Sequence, residues 1–89
     1  SIGDFSKMLF SLPVDINYYL PFNTHVKIQI IDLTGTLIKT LVNKSQMTGY
    51  HHIEWNGVDP NNKTVSSGVY IYKLNTSDHS LTGKCVFLK

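Results

Sequence analysis

The sequence contains one cysteine and no arginine, and only 16% of its 89 residues are charged. A single cysteine, Cys85, excludes an intrachain disulfide and cannot supply the several ligands of a structural zinc site. Its place in a strand-like run, between Lys84 and Val86, indicates a buried small hydrophobic side chain. Because the basic residues are lysines scattered along the chain, no cluster of positive charge favours a nucleic-acid partner.

Long apolar runs, export leaders and catalytic motifs are also missing. No segment approaches the roughly 20 apolar residues of a membrane-spanning helix, and the amino end lacks the pattern of a secretory leader, so we expect no transmembrane segment. No carboxylate pair, nucleophile with its base or phosphate-binding loop is present, which predicts a protein that is not an enzyme and uses no cofactor. We expect a linker or domain edge at residues 1–7 and a single domain at residues 8–89.

What the chain does contain is a period-two alternation of apolar and polar residues, which is typical of strands with one buried face. Ile16, Tyr18 and Leu20 follow this alternation, and β-branched and aromatic residues are frequent throughout. The predicted strands are residues 8–12, 16–20, 26–31, 36–42, 50–55, 69–74 and 81–88. Turn residues separate them and no segment is helical, so we predict an all-β, immunoglobulin-like antiparallel sandwich of about seven strands, with a small barrel as the alternative.

Two turn-forming segments are predicted from aspartate and glycine. Asp32 can accept backbone N–H groups and Gly35 can adopt a positive φ, which predicts a tight hairpin after residue 31. In the following strand the apolar residues do not fit one face, so we predict either a bulge or an early strand end near residues 39–40, and a polar loop at residues 43–49. The connection between residues 20 and 26 is predicted to be either a hairpin or a corner.

The segment after residue 55 contains several asparagines and an aspartate, which resemble the first ligands of a calcium loop. Lys63 occupies the third ligand position, however, and no glutamate follows at the required distance, which excludes an EF-hand. We therefore interpret Asn56, Asp59, Asn61 and Asn62 as turn residues that bond the local backbone or tolerate a left-handed φ, with a weak cation contact as the alternative.

The aromatic residues are predicted to fill the core. Alternation places His51 and Trp55 on one face of their strand and His52 on the other, so the adjacent histidines cannot share a metal ion. We place Trp55 at the centre of the core, packed with Tyr70 and Tyr72. The alternative is that these three rings form an exposed platform for carbohydrate, which would make the chain an accessory carbohydrate-binding module of a secreted enzyme.

Several segments, in this order and at this spacing, carry a resemblance to known proteins. They are INYYLP (16–21), VKIQIIDLTG (26–35), Leu41, GYH (49–51), WNG (55–57), VSSGVY (65–70) and KCVFLK (84–89). Together they resemble the immunoglobulin-like C-terminal sorting domain of type IX secreted bacterial proteins and the related immunoglobulin-like domain of the flagellar hook-capping protein. The chain departs from the sorting family in residues 10–14, which replace an Asn-Pro-Phe segment, and in Asn56 and Asn62, which replace a common aspartate and glycine.

The resemblance implies a noncatalytic sorting and attachment domain at the carboxyl end of an exported protein. It implies secretion machinery at the outer membrane and an upstream domain of the same chain as partners, and an extracellular or cell-surface location reached through the periplasm. It implies structural roles for a set of turn and core residues and a sorting role for the last strand. The structural residues are Asp32, Gly35, Trp55, Gly57, Gly68 and Tyr70, and the candidate sorting segment contains Lys84, Val86, Leu88 and Lys89.

Two further expectations accompany this hypothesis. A chain that ends on Lys89 after an apolar run favours a true carboxyl terminus, whereas a structural spacer or assembly module of the hook-capping kind would be followed by more protein. An open strand edge on so small a sandwich also predicts self-association through edge strands.

Overall fold

A computed structural model describes residues 14–88 of the chain. They form six strands, which are β1 (Val14–Leu20), β2 (Thr24–Ile31), β3 (Leu37–Gln46), β4 (Gly49–Trp55), β5 (Gly68–Asn75) and β6 (Ser80–Phe87). β1 pairs with β4 in a two-stranded sheet, and the larger sheet has the order β3-β2-β5-β6. All pairs are antiparallel, which confirms the all-β sandwich. Residues 1–7, the predicted strand at residues 8–12 and Lys89 lie outside the described residues.

The core lies between the two sheets and is built by strict alternation on the inner strands. In β2, Val26, Ile28 and Ile30 are completely buried, whereas the residues between them are half-buried on the outer face. The small sheet covers them with Ile16, Leu20 and Trp55. The predicted core face of β5 is confirmed, because Tyr70 and Leu74 are buried and Tyr72 packs against the same cluster. Side chains from both sheets therefore form one apolar layer. The removal of this apolar surface from water drives the packing of the two sheets into a sandwich.

The connection between β1 and β2 is a corner, because the two strands belong to different sheets. Pro21 follows β1 directly and has no N–H to continue a ladder. Thr48, across the gap, donates its backbone N–H to Asn23 Oδ1 at 2.8 Å and its hydroxyl to the Leu20 carbonyl at 2.7 Å. These bonds hold the corner against the β3–β4 connection. Of the two predicted geometries, the corner forms and the hairpin does not.

β3 is longer than the sequence predicts. The strand continues through the polar residues to Gln46, so the predicted loop at residues 43–49 is wrong and the connection to β4 contains only Met47 and Thr48. Residues 43–46 pair with the first half of β2 although most of them are exposed. This part of the edge strand buries little side chain, so backbone pairing with β2 is its main support. Two side-chain contacts add to it, from the Tyr18 hydroxyl to Gln46 Oε1 at 2.6 Å and between His25 Nε2 and Asn43 Oδ1 at 2.7 Å. Polar composition gives no indication of such pairing.

The predicted irregularity in β3 is confirmed by the register with β2. Ile28 faces Val42 and Gln29 faces Thr40, so Leu41 is the extra residue, and a second shift occurs near Ile38. Both extra residues are apolar and pack against the core cluster. Strict alternation cannot place the apolar residues of β3 on one face. The two bulges turn Ile38 and Leu41 toward the core while the strand stays continuous.

Gly57 allows the closest backbone approach in the core. Its φ of 75° lies in the left-handed region, and a Cβ at this position would overlap the ring of Phe87 from β6. Gly35 also has a positive φ, of 89°, but a Cβ there would meet nothing. At Gly68 the φ is not positive and the space is open. The three glycines of the implied structural set thus differ in how strongly the fold requires them.

Substituting alanine for Gly57, Gly35 and Gly68 should separate the loss of stability caused by a steric clash from the loss caused by a strained φ. Gly57→Ala should lower the free energy of unfolding by about 2–4 kcal/mol, since it adds both a clash and a strained φ. Gly35→Ala should cost about 1–2 kcal/mol from φ alone. Gly68→Ala is the matched control and should stay within about 0.5 kcal/mol of the wild type. Urea unfolding followed by tryptophan fluorescence measures all three, and an equal loss at positions 57 and 68 would contradict the account.

Candidate functional site

The hairpin between β2 and β3 is organised by one carboxylate. Asp32 Oδ1 accepts the backbone N–H of Thr34 at 2.9 Å and of Thr36 at 3.0 Å. The Asp32 N–H donates to the Thr36 carbonyl, and the Gly35 N–H donates to the Asp32 carbonyl. The predicted roles of Asp32 and Gly35 in a tight turn are both visible in this arrangement.

The same turn recurs after β4 with a different sequence. Asp59 Oδ1 accepts the N–H groups of Asn61 at 2.9 Å and Lys63 at 3.0 Å, and the Asp59 N–H donates to the Lys63 carbonyl. Asn62 has a φ of 65° and holds the place that Gly35 holds in the first turn. Asparagine tolerates this conformation better than other residues with a side chain. The carboxylate is thus used by the backbone, in agreement with a turn and not a calcium loop.

The hydrogen bonds of the first turn lower the pKa of Asp32. The largest contribution is the Thr34 hydroxyl, which donates to Oδ1 at 2.6 Å, and the backbone N–H groups of the turn add to it. Each donor stabilises the ionised carboxylate more than the protonated acid. The turn is therefore favoured by the ionised form of Asp32 over the protonated form.

Trp55 joins the two sheets at the carboxyl end of β4. Its ring lies 5.2 Å from that of Tyr70 in an edge-on arrangement and 5.8 Å from that of Phe87. The Trp55 Nε1–H donates to the Val58 carbonyl at 3.0 Å, and the Tyr70 hydroxyl donates to the Ser66 carbonyl at 2.6 Å. Burial raises the pKa of Tyr70. Each polar group of this aromatic cluster thus has a partner that anchors the 56–67 loop.

The burial of Trp55 and Tyr70 shows that the alternative prediction of an exposed carbohydrate platform is wrong. Trp55 is 1% exposed and Tyr70 is 7% exposed. Tyr72 is half-buried, and its ring covers Gly83, where a Cβ would overlap it. Since sugar stacking needs open ring faces, an accessory carbohydrate-binding module that uses these three residues loses its support.

The adjacent histidines point to opposite faces of β4, as predicted. His51 stacks on Tyr18 with ring centroids 5.4 Å apart, and its Nε2 lies 2.7 Å from the Met47 carbonyl oxygen. His52 faces outward, and its Nε2 lies 2.9 Å from Asp15 Oδ1 on β1 and 3.8 Å from Glu54 Oε1. The two imidazoles therefore have separate partners and no common ligand.

Sequence reasoning missed the group formed by Asp15, His52 and Glu54. One potential ligand atom from each lies within 4.8 Å of the others, and all three side chains are exposed. The antiparallel register places Asp15 directly opposite Glu54. The alternation of β4 indicates that His52 and Glu54 share a face. Asp15 comes from β1, however, and the register between β1 and β4 could not be read from the sequence.

A groove of about 600 Å³ opens between the carboxyl end of β1 and the β5–β6 turn. Its floor includes Leu20 and Leu74, and its rim carries Ser77 and His79. The Ser77 hydroxyl lies 3.0 Å from that of Thr24, and no hydrogen bond among residues 14–88 joins Ser77 to His79. Ser77 and His79 therefore do not form a hydrogen-bonded nucleophile and base, and the hydroxyl of Ser80, which also lines the groove, donates to Asn75 Oδ1 at 2.6 Å.

The candidate sorting segment follows the alternation of β6. Cys85 and Phe87 point into the core, while Lys84 is exposed and Val86 is half-buried on the outer face. Leu88 is half-buried just after the strand, and Lys89 lies outside the described residues. Burial raises the pKa of the Cys85 thiol to about 11, which confirms the inert, buried cysteine. Within the described part of the chain, β6 pairs with β5 alone, so its other edge is open.

Removing one hydroxyl tests the Tyr70 anchor. We expect Tyr70→Phe to lower the free energy of unfolding by about 0.5–1.5 kcal/mol, because the Ser66 carbonyl loses its donor. Tyr72→Phe is the matched control, since the Tyr72 hydroxyl makes no hydrogen bond among residues 14–88, and it should change stability by less than about 0.5 kcal/mol. Chemical denaturation of both variants compares them, and equal losses would argue against a specific anchor.

Acid should weaken the first turn through Asp32. Because the folded-state pKa is lowered, the unfolded chain binds the proton more readily, so this stabilisation is complete above the ordinary value of 3.8 and is lost as the pH falls through the folded pKa. Asp32→Asn keeps an acceptor oxygen but no titrating group, so its stability should fall less steeply in acid. Urea midpoints from about pH 6 to about pH 2.5 measure the slopes. Parallel slopes for wild type and variant would contradict the role of the charge.

Comparison with known proteins agrees with this geometry. Within residues 14–88 no helix is long and apolar enough to cross a membrane. Neither the curated proteins nor the solved structures contain a match to the chain. The family model for the FlgD Ig-like domain matches residues 11–80, which include the two aspartate turns, Trp55 and Tyr70. The chain therefore belongs to the FlgD Ig-like domain family.

Proposed function

We propose that this domain is a noncatalytic C-terminal sorting and attachment domain, which directs an exported bacterial protein through type IX secretion to the cell surface. The observation that carries the proposal is the arrangement of β6. Its inward residues lock the strand into the core, while Lys84 and Val86 face outward next to a strand edge that no residue of the described range 14–88 pairs with. A receptor can therefore read this segment without unfolding the domain.

Family membership supports the broader part of the proposal. Immunoglobulin-like FlgD domains are structural modules of larger exported proteins, so an upstream domain of the same chain is the partner we expect first. The secretion machinery at the outer membrane is the second partner, and pairing of the open β6 edge with another copy is a third contact that the geometry allows. The buried aromatic cluster, and a groove in which the Ser77 and Ser80 hydroxyls bond to residues other than His79, support a module that carries no reaction.

A specific alternative is a structural spacer or assembly module of the hook-capping kind. The match to the FlgD Ig-like domain favours it directly, and it would need the same core and turns. The two functions differ in what the outward face of β6 does. A sorting domain needs Lys84 and Val86 for recognition, whereas a spacer needs only the folded sandwich.

Export of a reporter distinguishes the two functions. The 89 residues are fused to the carboxyl end of a periplasmic reporter in a host with type IX secretion, and surface exposure is measured by protease accessibility on intact cells. We expect the fusion to reach the surface and the paired variant Lys84→Glu, Val86→Thr to remain in the periplasm. Lys44→Glu, on the opposite sheet edge, is the matched control and should be exported like the wild type.

Folding must be checked separately, so that a failed fold is not read as failed sorting. Thermal unfolding of each purified domain provides this check. A folded wild-type domain that leaves the reporter in the periplasm would overturn the sorting proposal and favour the spacer. Export of the Lys84→Glu, Val86→Thr variant at the wild-type level would remove the role of the β6 outer face.

A further inference from the structure

The outer face of the small sheet carries a surface that neither the core nor the proposed sorting role uses. The register of β1 and β4 arranges its outward residues in three cross-strand rows. The rows are Tyr19 with Tyr50, Asn17 with His52, and Asp15 with Glu54. Their side chains are all exposed, while the residues between them point into the sandwich or are half-buried. We call these six residues the β1–β4 outer face.

The first row is an aromatic pair that is open to solvent. Tyr19 is 56% exposed and Tyr50 is 88% exposed, and their ring centroids are 4.9 Å apart with the planes inclined by 55°. A pair of this kind stabilises the sheet through its mutual contact, but it leaves most of both rings uncovered. Large aromatic surface that packing does not use is typical of a binding surface.

The second and third rows supply hydrogen-bonding groups beside the rings. The Asn17 carboxamide makes no hydrogen bond within residues 14–88, so both its donor and its acceptor are free. His52 binds Asp15 through Nε2, which leaves its Nδ1 and the remaining carboxylate oxygens of Asp15 and Glu54 available. Successive rows are two residues apart, so the three rows extend over roughly 13 Å of the sheet.

The charge of this face restricts the kind of ligand. β1 and β4 contain two carboxylates, His52 and no lysine on the outer face. A phosphate, a sulfated polymer or an acidic glycan would therefore meet repulsion from Asp15 and Glu54. A neutral ligand with an apolar ring face and several hydroxyl groups would instead stack on the tyrosines and donate to the carboxylates.

We propose that the β1–β4 outer face binds a neutral glycan, with one pyranose ring stacked on the more exposed ring, Tyr50, beside Tyr19, and the next sugar hydrogen-bonded by Asn17 and the carboxylates. The site is independent of Trp55, Tyr70 and Tyr72, which remain in the core. It is also independent of β6, which belongs to the other sheet. The proposal does not rest on the sorting function, since a spacer or a sorting domain would present the same face.

Titration of the 89-residue chain with cellohexaose and with maltohexaose tests the proposal. Backbone amide chemical shifts followed by NMR should move at positions 15–19 and 50–54 with at least one of the two sugars. Tyr50→Ala and Asn17→Ala should each raise the dissociation constant by about tenfold. The matched controls are Phe22→Ala, an exposed aromatic in the corner, and Asn61→Ala, an exposed asparagine in the second turn, and both should bind like the wild type.

Four results would overturn the proposal. No shift with either sugar would show that the face takes no neutral glycan of this kind. Equal weakening by Tyr50→Ala and Phe22→Ala would show that the contact is not specific to the aromatic pair. Loss of binding in EDTA would show that a cation held by Asp15, His52 and Glu54 makes the contact, and tighter binding of polygalacturonate than of the neutral sugars would contradict the inference from charge.

Discussion

The packing of the Trp55 indole between the two sheets is the interaction on which the rest of the structure depends. It extends from the two-stranded sheet and meets Tyr70 and Phe87 from the four-stranded sheet, so one side chain joins both layers. Its Nε1–H also fixes the following loop through the Val58 carbonyl. A buried aromatic of this kind is worth about 3–5 kcal/mol, a large share of the roughly 5–15 kcal/mol that stabilises a small domain. Gly57 leaves the space that this packing requires.

A core filled in this way determines where function can lie. Among residues 14–88, the large aromatics lie in the interior cluster, at its half-buried edge or at a few exposed positions. Since the interior is used for packing, the surfaces that residues 14–88 offer for recognition include the outer face of β6, the outer face of the small sheet and the groove beside the β5–β6 turn. The outer face of β6 belongs to the large sheet, whereas Asn17 and Tyr19 of β1 line both the groove and the outer face of the small sheet. The groove also touches the core through Leu20 and Leu74.

The two aspartate turns show how different sequences reach the same local structure. Asp32 and Asp59 each accept two backbone N–H groups, and the residue three positions later has a positive φ. That residue is glycine in one turn and asparagine in the other. The aspartate acceptor supplies hydrogen bonds that water would otherwise supply, so each turn is ordered by bonds within itself. The loop that contains the second turn is held in addition by the core residues Trp55 and Tyr70, through the Val58 and Ser66 carbonyls. Stability at the ends of the sandwich is therefore mainly local, whereas stability at its centre is shared between the sheets.

The sequence by itself determined the strand class, the aspartate turns, the bulge and the buried face of each inner strand, because alternation and turn chemistry act between residues close together in the chain. It did not reveal that β3 extends through polar residues, that β1 turns a corner into the other sheet, or that Asp15 and Tyr19 meet Glu54 and Tyr50. Those features depend on register and on the choice of sheet, which distant strands settle together when they bury a common apolar layer. The surface that carries the glycan inference is therefore a product of tertiary structure.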